Sequence, residues 1–260
     1  MNARVAILIA LLAGCASQNQ NPDPISDTGA PLKGEAADRR NRARLHTELA
    51  SLYYTNGNMA VALEELRAAT TSDVNYGPAH GMYGVVYMRL NETTKAGESF
   101  ERALRLAPND PDINHNYGWY LCQTGREEAS IKHFTQALRN PLYPSPWRSY
   151  AAAGVCTMKM NQLKEAEGYF ERALKLEPDE PSSLLQLGQI RYKQGNVGEA
   201  RKLVGRYNKV ATPSAESLWL AVRIERRLGD RLQEQAYANQ LRRRYPTSPE
   251  YQALLQGRYD

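Results

Sequence analysis

The sequence predicts an all-α protein, a superhelix of six stacked helix–turn–helix units. Three observations predict it. Phe100-Glu101-Arg102-Ala103-Leu104-Arg105-Leu106-Ala107-Pro108 returns as Phe170-Glu171-Arg172-Ala173-Leu174-Lys175-Leu176-Glu177-Pro178. A looser copy, Phe134-Thr135-Gln136-Ala137-Leu138-Arg139-Asn140-Pro141, lies between them, which spaces the phenylalanines 34 and then 36 positions apart. Each copy places its small and apolar residues at helical spacing and closes on a proline, which cannot continue a helix. A two-helix unit of this size cannot bury its apolar face alone, so the units must stack.

A period near 34 residues with this Phe, Ala and Pro pattern resembles the tetratricopeptide repeat. The chain then divides in order. Residues 1–14 read as a lipoprotein signal peptide. Arg4 supplies a short positive start, and Val5 to Leu12 is an apolar run of eight, too short to span a bilayer but suited to a signal. The run ends in Leu12-Ala13-Gly14-Cys15, which resembles a bacterial lipobox, with cleavage before Cys15 and lipid on its thiol. The plainer reading is an ordinary secretory signal with an incidental cysteine. The resemblance to bacterial lipoproteins implies that Ala16 rather than Asp at the next position favours transfer to the outer membrane. Residues 15–39, rich in Gln, Asn, Pro, Asp and Gly, form the lipidated cysteine and a flexible tether with too little apolar surface to fold.

Residues 40–260 hold the six repeats and a short C-terminal cap. The repeats fall at about 43–76, 77–110, 111–146, 147–180, 181–214 and 215–248. Asn56-Gly57-Asn58 breaks the first, between a helix with Leu49, Ala50 and Tyr53 and one with Ala62, Leu66 and Ala69. Small residues such as Gly84, Gly118, Gly154 and Gly188 let paired helices approach closely. Tyr251, Leu254 and Leu255 are expected to cover the last repeat. The third repeat carries two extra residues in Asn140-Pro141-Leu142-Tyr143-Pro144-Ser145-Pro146-Trp147. That stiff connection is either a tolerated insertion or a local change in superhelix geometry.

The chemistry-bearing residues do not assemble into a reaction centre. His46, His80, His115 and His133 have no partners at metal-ligand spacing, and no phosphate-binding loop or nucleophile motif is present. We therefore expect no enzyme activity, no metal, no cofactor and no small-molecule substrate. Net charge is +5, with 33 Lys and Arg against 28 Asp and Glu interspersed, too mild an asymmetry for a nucleic-acid surface. Arg226-Arg227 and Arg242-Arg243-Arg244 read as a solvated face, with anionic lipid or cell-wall polymer as the alternative. Cys122 and Cys156 sit late in the first helices of adjacent repeats, so a disulfide is expected in an oxidising compartment. Two buried small residues would be the bland alternative.

The repeats offer a surface instead. Positions 2, 5, 9, 12 and 13 of each first helix should line a concave groove. They include Tyr54 in the first repeat, Val85, Met88 and Arg89 in the second, and His115 and Trp119 in the third. Val155, Met158 and Lys159 follow in the fourth, Leu185, Tyr192 and Lys193 in the fifth, and Trp219, Arg223 and Arg227 in the sixth. Methionine, aromatic and basic residues together suit an extended or helical peptide of some acidic character.

Particular segments narrow the resemblance. Asn116-Tyr117-Gly118-Trp119-Tyr120-Leu121-Cys122, Asn140-Pro141-Leu142-Tyr143-Pro144, Gly154-Val155-Cys156, Ala215-Glu216-Ser217-Leu218-Trp219-Leu220 and Leu241-Arg242-Arg243-Arg244-Tyr245-Pro246 carry it. With the lipobox and tether, they make the chain similar to the type IV pilus biogenesis lipoproteins of the PilF/PilW family, the pilotins of the pilus secretin. The resemblance implies a scaffold, lipid-anchored in the outer membrane and facing the periplasm, that binds secretin subunits and promotes their targeting and assembly into multimers. It also implies a secretin contact in an apolar groove toward the first repeats, near Tyr53 and Tyr54 with Leu49 and Leu52 behind them, although core packing is the favoured role for Leu49 and Tyr53. A tetratricopeptide lipoprotein serving as adaptor for cell-wall or other envelope machinery is the alternative.

Overall fold

The computed structural model describes residues 34–259. The signal peptide, Cys15 and the tether up to residue 33 lie outside the described residues. Thirteen helices and no strand occur among those described. They form six antiparallel pairs, α1(Glu35–Thr55) with α2(Met59–Ser72), α3(Gly77–Arg89) with α4(Thr93–Leu106), α5(Pro111–Gln123) with α6(Glu127–Leu138), α7(Pro146–Lys159) with α8(Leu163–Leu176), α9(Pro181–Lys193) with α10(Val197–Val210), and α11(Ala215–Leu228) with α12(Arg231–Arg244). A last helix, α13(Pro249–Leu255), packs on α11 and α12. Each second helix also touches the first helix of the next pair. The odd-numbered helices from α1 to α11 meet side by side along the stack. That neighbour-only pattern is the tetratricopeptide superhelix.

One boundary and one capping residue differ from the sequence expectation. The helix starts at Glu35, so residues 35–39 belong to α1 rather than to the tether. Glu35 and Arg39 pair across one turn at 2.9 Å, and acidic Glu35 and Asp38 in the first turn suit a helix N-terminus. At the other end Tyr251 and Leu254 pack on the last pair as expected, whereas Leu255 is 62% exposed.

The turn inside each pair sets the register. One residue with positive φ closes every first helix: Gly57, Asn91, Gly125, Asn161, Gly195 and Gly229. They recur every 34 positions except across the extra residues, where Asn161 follows Gly125 by 36. The next residue's N–H reaches back to a carbonyl of the last helical turn, as in Gln162 to Thr157 at 3.1 Å and Asn196 to Arg191 at 2.9 Å. This left-handed cap satisfies carbonyls that the helix end leaves open. Asparagine tolerates the conformation and alanine does not. Asn161→Ala is therefore expected to lower stability by about 1 kcal/mol and Asn161→Gly by less than about 0.5. The midpoint of urea unfolding reads the difference.

Between the helices of each pair, one small residue faces one large residue. Gly84 faces Phe100, Gly118 faces Phe134, Gly154 faces Phe170 and Gly188 faces Val204. The first pair uses Ala50 with Leu66, and the last reverses the arrangement with Val222 on α11 and Ala238 on α12. The three phenylalanines are 0–1% exposed. The added connection in the third repeat is not left in solvent. Its Tyr143 is buried, and Ser149 donates a hydrogen bond to the Tyr143 hydroxyl at 3.4 Å.

Candidate protein-binding groove

The odd-numbered helices present their inner faces along one side of the stack. At its N-terminal half they form a cleft of about 480 Å³ walled by α1, α3 and the start of α5, with Tyr54, Met82, Val85 and Ile113 as its apolar part. A second hollow of about 420 Å³ shares Tyr54, Val85, Asn116 and Arg148 with it and extends to Met88, Arg89, His115 and Trp119. Together they make one groove across the first four repeats. Tyr54 and Met82 pack against the core of the first two pairs, which holds their side chains in place. Trp119 stays 36% exposed at the rim.

Charges of both signs edge this groove. Arg44 and Glu48 pair at 2.7 Å on α1, and Arg148 at the start of α7 lies 3.8 Å from Asp112 at the start of α5. Burial, then neighbouring Asp110, push the Asp112 carboxyl up, and Arg148 works against them. Asp110 caps α5 by accepting from the Ile113 N–H at 2.9 Å.

The structure brings Tyr54, Val85, Met88, Arg89 and Trp119 together as groove lining. Three other expected contact residues are corrected. His115 is 7% exposed and forms the groove floor rather than a free contact, because Ser149 Oγ lies 2.9 Å from its Nδ1 and Phe134 packs beside its ring. Leu185 is buried between α10 and α11, where it belongs to the core. Trp219 is 8% exposed because Tyr259 lies against it, ring centroids 5.4 Å apart. Val155 and Met158 pack partly against the core of the fourth and fifth pairs. The Lys159 ammonium donates to the Cys122 carbonyl at 3.2 Å. Lys193 is exposed, and Tyr192 lies beneath Arg223 and Arg227. A disulfide joins Cys122 on α5 to Cys156 on α7, both fully buried.

Leu49 and Leu52, placed behind the tyrosines by the sequence reading, are instead 41% and 55% exposed. With Leu45 at 51% they make an apolar stripe at helical spacing on α1, which no earlier repeat covers among the described residues. The position rule that found Val85 and Trp119 also points to Pro78, Asp112 and Arg148, one in each successive repeat, and these line the groove. Asn116 lines the groove from position 6 of its repeat, outside that rule.

Burial, then the Arg148 charge, lower the His115 imidazole to about 3 from an ordinary 6.5. The folded state therefore binds fewer protons than the unfolded chain between those values, and stability falls as pH drops from about 6.5 toward 3. Burial lowers His80 and His133 as well, with the same sign. His115→Gln is expected to flatten the stability–pH curve over this window by up to about 1.4 kcal/mol per pH unit. Denaturant midpoints of both proteins across the window provide the check.

Other titratable groups are structural. His46 lies 2.7 Å from Glu65, and His80 Nε2 donates to the Val74 carbonyl at 2.9 Å. No group of three metal-ligating side chains occurs among the described residues. No helix among them is long and apolar enough to cross a membrane.

Fold and groove together define a class: a tetratricopeptide scaffold that presents a surface for protein segments. Tetratricopeptide repeat models match residues 47–111, 99–132 and 157–221. The type IV pilus assembly protein PilF of Pseudomonas aeruginosa is 30% identical over 256 residues, which is 97% of this chain and 98% of that protein. The chain belongs to this PilF family of type IV pilus biogenesis proteins. The crystal structure of PilW, a widely conserved type IV pilus biogenesis factor, superposes with a TM-score of 0.73 at 31% identity, over 82% of this chain and 98% of that one. The solved Pseudomonas aeruginosa PilF structure gives 0.81 at 28% identity, over 85% and 100%.

Proposed function

We propose that this protein is an outer-membrane lipoprotein that binds subunits of the type IV pilus secretin and promotes their targeting and assembly into multimers. The observation that carries the reading is the uncovered apolar stripe of Leu45, Leu49 and Leu52 on α1. A terminal repeat normally ends in a polar face, since an apolar one is an interaction surface. Tyr54 on the same helix adds an aromatic group where α1 meets the groove. A secretin segment seated here would be held by burial of apolar area, with Arg44 and Glu48 beside the stripe on the same helix fixing register.

The lipid would act by proximity. Cys15 ahead of a polar tether of some 20 residues holds the repeats close to the bilayer and raises the local concentration of captured subunits. Acyl chains at about 0.8 kcal/mol per buried methylene give a stable anchor when more than one is attached.

The test is secretin state in a strain lacking the protein, by membrane fractionation and unheated gel electrophoresis. Multimers should vanish from the outer membrane, and wild type should restore them. Cys15→Ala should restore neither location nor multimer yield. Leu49→Glu with Leu52→Glu should leave the protein in the outer membrane but abolish rescue. Unchanged multimers in the deletion strain would overturn the reading.

A further inference from the structure

The last two repeats hold a second cluster on their first helices. The Arg223 guanidinium lies 5.1 Å from the Tyr192 ring centroid and 5.7 Å from that of Trp219, and Arg227 lies 5.5 Å from Tyr192. Two guanidinium groups one helical turn apart on α11 thus share an aromatic floor contributed by α9 and α11. Neither meets a carboxylate among the described residues, and the Arg223 Nε is buried with no acceptor. By contrast Arg191, Arg201 and Arg206, in the same two repeats, each pair with a carboxylate. Arg226, between the two, is engaged with Glu234 at 3.0 Å and with the Tyr259 ring at 3.8 Å. Exposed Lys193 adds a further positive charge next to Tyr192.

A guanidinium stacked on a ring keeps its in-plane N–H fork open, and that fork matches a carboxylate in two parallel hydrogen bonds. Two like charges one turn apart on α11 repel each other, and an arriving carboxylate relieves that repulsion. We propose that Arg223 and Arg227, on the floor of Tyr192 and Trp219, form a second docking point for an acidic segment of a protein partner, separate from the groove on the first four repeats. Trp219 is already covered by Tyr259, so the half-buried Tyr192 ring is what favours a peptide over a bare anion, by taking an apolar or aromatic side chain beside the carboxylate. Tyr259 already shows that the same helix accepts an aromatic ring, seated against Trp219 beneath Arg226. The proposal does not depend on which partner occupies the N-terminal groove.

Fluorescence anisotropy on the full chain tests it, using a short fluorescein-labelled peptide with Asp and Glu residues around one Tyr, and its Asn/Gln counterpart. The acidic peptide should bind, more weakly as salt rises, and Arg223→Gln with Arg227→Gln should weaken it about tenfold or more. Arg227→Lys should recover part of the loss at most, since it keeps the charge without the fork. Lys132→Gln, an exposed charge on α6 away from both surfaces, should leave the affinity unchanged. Arg227 is exposed, so Arg227→Gln alone keeps the test decisive should the double variant unfold. Equal affinity for the Asn/Gln peptide would overturn the proposal. So would an unaffected double variant, or binding confined to phosphatidylglycerol vesicles.

Discussion

Phe170→Ala is expected to destabilise the protein by about 3–5 kcal/mol, among the largest effects of any single substitution in the stack. The ring is fully buried between α7 and α8 and fills the space opposite Gly154. The converse change should be damaging too. A Cβ on Gly154 would stand 2.6 Å from Phe170 Cε1, with two further ring carbons at 2.8 Å, so Gly154→Ala forces either the ring or the helix to move. Overpacking of this kind costs about 1–3 kcal/mol, and occasionally more. The first repeat already shows the remedy, since Ala50 faces Leu66 there. Gly154→Ala combined with Phe170→Leu should therefore be more stable than the sum of the two single changes predicts, by about 1–3 kcal/mol. Denaturant unfolding of the four proteins in a double-mutant cycle gives the coupling. Strict additivity would show that the two residues do not share one packing site.

Cleaving the Cys122–Cys156 bond should have the next largest effect. The bond spans 34 residues and ties α5 to α7, the first helices of adjacent repeats. Cross-linking a loop of that length stabilises by about 2–4 kcal/mol, chiefly through the unfolded chain. Cys122→Ala with Cys156→Ala should lower stability by that amount and leave the helix content unchanged. Both sulfurs are fully buried, so reductant should reach them only after opening of the third and fourth repeats. Thiol labelling in dithiothreitol should therefore be slow in buffer and fast near the unfolding midpoint. The consequence for function is positional. Lys159 donates to the carbonyl of Cys122, and His115 and Ser149 meet a few residues away, so the bond stands behind the groove floor. Its loss should weaken partner binding as well as stability.

Much of this was legible because a repeat array makes local and tertiary patterns coincide. A helix pair contacts only itself and its neighbours, so one 34-residue period carries turn, core and stacking information at once. Gly57, Gly125, Gly195 and Gly229 announce their turns. Asn91 and Asn161 do not, since asparagine is common in many other contexts, and they are recognised only by their place in the period. The groove was legible as a set of positions but not as a set of exposed side chains. Position 5 is groove floor at His115, buried core at Leu185 and covered at Trp219, although the rule treats these positions alike.

By itself, then, the sequence determined the all-α repeat fold, the register of its units and the small residues at which paired helices approach closely, because those follow from spacing along the chain. The lipobox-like segment and the polar stretch after it are read from the sequence alone and lie outside the described residues. Only the tertiary structure decided which groove positions stay open. That depends on how closely successive first helices approach and on which distant segment covers them. Tyr259 reaches back to Trp219, Tyr143 seats beside Ser149, and no repeat precedes α1 among the described residues to cover Leu45, Leu49 and Leu52. Such contacts carry no period, so no reading of spacing can find them.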